Sequence, residues 1–215
     1  MADTATGLAH QFDDLAQQHD AGTFGMWVFL VTEVMFFGGL FTGYTVYRSL
    51  YLPAFEAGSK LLDIKMGAAN TVVLIASSLT MALAVRNAQV GKRKALVGFL
   101  LMTMLLGSVF LVVKYFEYGQ KLHHHLVPGI NFAYEGALGP HVQLFFCFYF
   151  FMTGMHALHM LIGLGLLTVM VVKSARGRFS PDYYVPIEVA GLYWHFVDVV
   201  WIFLFPLLYL LGGHR

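Results

Sequence analysis

Five stretches of this sequence are predominantly apolar, running roughly from Gly22 to Tyr51, Met66 to Val85, Ala95 to Phe116, Val142 to Val172 and Pro186 to Leu211. A helix rises 1.5 Å per residue, so about 20 apolar residues cross a hydrocarbon layer, and each stretch reaches that length. Lipid offers the backbone no partners, and every amide must therefore be bonded inside its own segment, which selects helices over open strands. The expected fold is all-α: one five-transmembrane-helix bundle over residues 22–215, preceded by a polar arm over residues 1–21. The first and fourth runs exceed the crossing length, so those helices are expected to tilt or to extend past the headgroups.

Composition agrees with a lipid-dissolved chain. Of the 215 residues 58% are hydrophobic and 12% charged, whereas soluble domains carry about a quarter charged residues. A net charge of +1 provides no polyanion-binding surface, which sets nucleic acid aside. The only cysteine, Cys147, lies inside Leu144-Phe145-Phe146-Cys147-Phe148; it excludes an internal disulfide and a thiolate cluster, and reads as a small core residue. The arm holds Asp3, Asp13, Asp14 and Asp20 and no lysine or arginine, the opposite of a basic signal or transit segment.

Four connections separate the runs: a loop with Pro53 and Gly58, a tight basic turn from Asn87 to Lys94, a longer loop through Pro128, Gly129, Gly136 and Pro140, and a loop through Gly177 and Pro181. Arg86, Lys92, Arg93 and Lys94 crowd one short turn, and Lys173, Arg176 and Arg178 crowd another on the same side. Dense cations in short loops mark the cytoplasmic side, which puts the N-terminus inside and His214-Arg215 outside. Gly38, Gly39 and Gly43 on the first run, and Gly154, Gly163 and Gly165 on the fourth, are small enough to admit a neighbouring helix or lipid.

The polar residues inside these runs are the candidates for function. Glu33 sits in Leu30-Val31-Thr32-Glu33-Val34-Met35, where an ionised carboxylate is costly unless paired. It reads either as a proton-handling or partner-contact site or as a packing carboxyl satisfied by a histidine or hydroxyl of another span. His156 and His159 share a helix face at i and i+3; structural hydrogen bonding explains them with fewer ligands than a metal or haem site requires. Glu188, His195 and Asp198 follow at seven and three residues, a stripe expected to bond the fourth-run histidines, with a proton relay as the other reading. Lys114 and Glu117 are spaced to pair. His123-His124-His125 reads as a solvated exterior loop. No phosphate-binding glycine loop, nucleophile elbow or zinc-protease motif occurs.

The segment Glu188-Val189-Ala190-Gly191-Leu192-Tyr193-Trp194-His195-Phe196-Val197-Asp198-Val199-Val200-Trp201 closely resembles the last helix of cytochrome c oxidase subunit III. Thr32-Glu33-Val34-Met35-Phe36-Phe37, Tyr115-Phe116-Glu117-Tyr118 and Thr153-Gly154-Met155-His156-Ala157-Leu158-His159 agree in order. The resemblance spans about Gly22 to Leu211. Larger members have seven helices, and this chain is similar to the last five of them; in those members the first two form one arm of a phospholipid-holding cleft, an arm that another subunit, such as an extended subunit I, would supply here.

The resemblance implies an accessory subunit of a haem-copper terminal oxidase in a bacterial plasma membrane. It implies no catalytic, metal or cofactor residue in this chain, haem and copper in the partner subunits I and II, and bound phospholipid. The buried positions it matches are Glu33, Glu117, His156, His159, Glu188, His195 and Asp198, and it implies lipid headgroup contacts at Lys173, Arg176 and Arg178. A quinol oxidase subunit III and the related subunit of nitric oxide reductases are alternatives within the resemblance. A proton-coupled transporter would be expected to show two related halves, which five spans do not divide into, and a haem anchor held by His156 or His159 with His195 would show a Soret band.

Overall fold

The computed structural model describes residues 10–129, 132–134, 136–181 and 183–212, the side chain of Leu15 excepted. The first nine residues of the arm and His214-Arg215 lie outside them. Six α-helices follow in order: α1 (Leu15–Leu50), α2 (Leu52–Lys60), α3 (Ile64–Gln89), α4 (Arg93–His123), α5 (Gly139–Ala175) and α6 (Val185–Phe205), the last running into a π-helical turn, Pro206–Leu210. Five are long and apolar enough to cross a membrane, as the apolar runs predict, and the protein is a multi-pass membrane protein. No strand occurs among the described residues.

Two expectations change. The helix α1 begins at Leu15, inside the stretch read as a polar arm, because Asp14 caps it: Gln17 N–H donates to Asp14 Oδ1 at 2.7 Å, and Asp13 N–H donates to Gln17 Oε1 at 2.7 Å. The Pro53/Gly58 connection is the helix α2, in which Pro53 falls in the first turn, where its missing N–H removes no helical bond. This helix buries Ala54, Phe55, Gly58 and Ser59; nine residues are too few for periodicity to reveal.

The central element is α6, which packs against α1, α3 and α5, while α4 lies between α3 and α5. Close approach depends on Gly163, one of the expected glycines, and on Gly107, Gly191 and Gly67, which were not among them. A Cβ on Gly107 would stand 2.7 Å from the Trp194 ring, and one on Gly163 3.0 Å from the other side of that ring. Trp194 is thus inserted between α4 and α5, and its Nε1–H donates to Ser77 Oγ at 3.1 Å. Gly191 lets α6 reach Val85, and Gly67 makes room for Phe205. Gly38, Gly39 and Gly165 have no neighbour within 4 Å and face outward. Cys147 is also exposed rather than in the core, with Phe145 and Phe146 taking the inward positions.

Both basic turns meet at one end of the bundle. Pro181 lies against Gly91, and the Arg93 guanidinium donates to the carbonyl of Ala175. At the other end Arg48 donates to Leu211 O at 2.9 Å, Tyr44 to Leu207 O at 3.0 Å and Ser59 to Leu208 O at 2.7 Å. These side chains take up carbonyls of the last helical turn, which have no intrahelical partner because the helix ends there.

Replacing Gly107 by alanine should destabilise the bundle by about 1–3 kcal/mol through overpacking against Trp194. Gly98→Ala, on the same helix with open space around it, should be neutral or slightly stabilising. Unfolding midpoints of the two variants in detergent micelles test the contrast.

Candidate functional site

A buried ion pair lies inside the bundle. Lys114 Nζ donates to Glu117 Oε2 at 2.9 Å, as their spacing predicts, and the two side chains are 5% and 1% exposed. Two tyrosines close the pair. The Tyr209 hydroxyl accepts from Lys114 at 2.8 Å and donates to Glu117 Oε1 at 2.5 Å; the Tyr149 hydroxyl donates to the same oxygen at 2.9 Å. The Trp201 ring lies 4.8 Å from the ammonium, a cation-π distance. Every charge therefore has several partners, the condition under which a buried pair persists in a low dielectric. The tyrosines come from α5 and from the π-helical turn, so one cluster ties three elements together. Its sequence signal was only the Lys-x-x-Glu spacing, because Tyr149 and Tyr209 lie far along the chain in apolar surroundings.

Glu33, near the middle of α1, meets His159 of α5: Oε2 and Nε2 are 3.1 Å apart. This is the histidine-satisfied carboxyl that was one reading of the sequence. His159 Nδ1 lies 2.8 Å from Met155 O, and a carbonyl only accepts, so Nδ1 carries a proton. The Nε2–Oε2 contact then requires one more, held either by the carboxyl or by the imidazole. The pair shares a single exchangeable proton inside a spanning segment, and Tyr193 O–H steadies the turn by donating to His159 O at 3.0 Å. The side chains are 20% and 10% exposed, so the pair borders the outer face of the bundle.

His156 does not join it. Its Nε2–H donates to Val197 O at 3.1 Å, with its ring against Phe110 and Trp201. This contact between an α5 histidine ring and α6 goes to backbone, not to the polar side chains of the stripe. The Glu188, His195 and Asp198 stripe does not bond those histidines. Glu188 stands 3.5 Å from His19 of α1, the His195 Nδ1 is 2.7 Å from Ser78 Oγ of α3, and Asp198 lies beside Ser77 and Ser78. The reason is axial: seven residues advance a helix by about 10 Å, so residues on nearly one meridian face different neighbours. Among the described residues no three His, Cys, Asp or Glu side chains converge as a metal site. Lys173, Arg176 and Arg178 are exposed, as are Lys92 and Lys94 of the other basic turn, and His123, His124 and His125 are exposed at the opposite end.

Lys114→Met should cost about 3–5 kcal/mol, because it leaves the Glu117 carboxylate buried without its cation. The double substitution Lys114→Met with Glu117→Leu should recover a large part of that loss. Thermal unfolding of the three proteins in detergent measures the difference.

The chain matches the family described as cytochrome c oxidase subunit III over residues 13–213. It is 36% identical over 197 residues to cytochrome c oxidase subunit 3 of Synechocystis sp., covering 89% of this chain and 76% of the relative. It is 31% identical over 210 residues to cytochrome c oxidase subunit 3 of Thermostichus vulcanus, covering 95% and 94%. It is also 31% identical over 197 residues to cytochrome bo(3) ubiquinol oxidase subunit 3 of Pseudomonas putida, covering 90% and 89%. With the motif helices in family order and the match running through all five spans, the chain belongs to the cytochrome c oxidase subunit III family.

Proposed function

We propose that this chain is the accessory subunit III of a proton-pumping haem-copper terminal oxidase, packed against the catalytic subunit I with subunit II in the same complex. The observation that carries the reading is the family match over nearly the whole chain. Haem and copper belong to the partner subunits. The role of this chain is to stabilise the catalytic subunit and to support proton uptake into it. The proton shared by Glu33 and His159 suits that role: a carboxyl and an imidazole 3.1 Å apart exchange a proton without leaving a charge unpaired in hydrocarbon.

The basic end of the bundle is cytoplasmic, in a bacterial plasma membrane, and the opposite end faces outward. Lys173, Arg176 and Arg178 then stand at the level of anionic headgroups and hold phospholipid there. The relative named as a ubiquinol oxidase subunit 3 supports a second reading, in which the electron donor is quinol; the donor site lies in other subunits in either case.

Deleting this chain should leave the haem spectrum per catalytic subunit unchanged while activity is lost faster during sustained turnover. Absorption spectra and oxygen-consumption traces of the purified complex test this. Loss of haem on deletion would contradict an accessory role.

A further inference from the structure

One buried carboxylate in the bundle is left over. Asp198 is 2% exposed, and neither of its oxygens has a hydrogen-bond partner among the described residues. The nearest hydroxyls, those of Ser77 and Ser78, also serve other groups. Ser77 Oγ directs its one proton to Leu74 O at 2.9 Å and accepts from Trp194 Nε1, and Ser78 Oγ is bonded to His195 Nδ1 at 2.7 Å. Beside this group lies a cavity of about 380 Å³ between α3 and α6, lined by Ser78, His195 and Asp198. Its rim is formed by Leu79 and Val199, which are 62% and 46% exposed, so it opens on the outer face of the bundle.

Depth decides what can fill it. Asp198 stands near the midpoint of the span Val185–Leu210, and Ser78 near the midpoint of Ile64–Gln89. At 1.5 Å per residue the carboxyl is about 18–20 Å from either end of the span Val185–Leu210, beyond the reach of lipid headgroups. Acyl chains do reach it, but they offer no donor, and a polar group left unsatisfied in hydrocarbon costs several kcal/mol. Polar groups at such depth are satisfied by side chains of a neighbouring helix. Among the described residues that neighbour is missing, because the exposed rim shows none of the six helices over the groove.

We propose that the groove between α3 and α6 seats a transmembrane helix of the catalytic subunit, which places a hydrogen-bond-donating side chain against Asp198. The inference rests on the reading of the chain as an oxidase subunit and adds which face docks and what chemistry the partner presents. The rim supplies an apolar surround of Leu79 and Val199, and the acceptor at its centre fixes the register of the incoming helix. His195, bonded to Ser78, lines the same groove as a second polar side chain.

Photo-crosslinking of the intact complex tests the docking face. A benzoylphenylalanine at Leu79 or Val199 should capture the catalytic subunit, whereas one at Leu105 or Leu161, equally exposed on α4 and α5, should capture lipid only. In parallel, Asp198→Leu should lower the amount of this chain retained on the catalytic subunit in mild detergent by about three- to fivefold, while Asp198→Asn, which keeps an acceptor, should retain it. The crosslinking uses native Asp198, so misfolding of the leucine variant does not blunt it. Capture from Leu105 or Leu161 but not from Leu79 or Val199, or capture of lipid or a second copy of this chain at the groove, overturns the docking face and leaves the accessory role standing. Failure of the chain to co-purify with a haem-bearing subunit overturns both.

Discussion

Hydrocarbon solvates no charge, and the arrangement of this bundle follows from that constraint. Lys114 and Glu117 could not remain on α4 at their depth as a bare pair; they persist because Tyr149 and Tyr209 supply three further hydrogen bonds and Trp201 a ring face. The cluster consequently dictates where α5 and the end of α6 must lie. The π-helical turn after Pro206 belongs to the same logic. The helix ends there, Tyr44, Arg48 and Ser59 take up carbonyls of its last turn, and Tyr209 is turned inward to the ion pair.

Packing around α6 supplies the second constraint. Association of helices in lipid draws on van der Waals contact and hydrogen bonds rather than on expulsion of water. Large rings set into glycine notches maximise that contact, as with Trp194 between Gly107 and Gly163. The indole also carries a polar handle, its N–H bonding Ser77, so the same side chain that fills space orients α3 against α6.

Polar groups near the bundle surface differ from this interior in how completely they are satisfied. Glu33 and His159 complete each other, and the one proton between them gives the pair two equivalent ways of staying neutral as a unit. Asp198 has no such complement among the described residues. The bundle thus carries both kinds of group: one that closes on itself, and one left without a complement.

The number of spans, the helical class, the Lys114–Glu117 pairing and the family were legible in the sequence, since each depends on local quantities: length of apolar run, i to i+3 spacing and contiguous motif residues. Which partner each polar residue meets was not legible. Glu33 finds His159 across 126 positions of chain, and His195 finds Ser78 across 117, distances over which periodicity says nothing. The stripe of Glu188, His195 and Asp198 lies on nearly one meridian, but its members sit at different heights against different helices, so a shared face did not mean shared partners. The α2 helix escaped notice because its nine residues include an early proline, and Cys147 was misplaced because an apolar run in a membrane chain does not say which side faces lipid. Sequence alone thus determined that the chain spans a membrane and what it is akin to. Only the tertiary structure decided which buried polar groups are complete, because in lipid that depends on the rotation and depth at which helices meet.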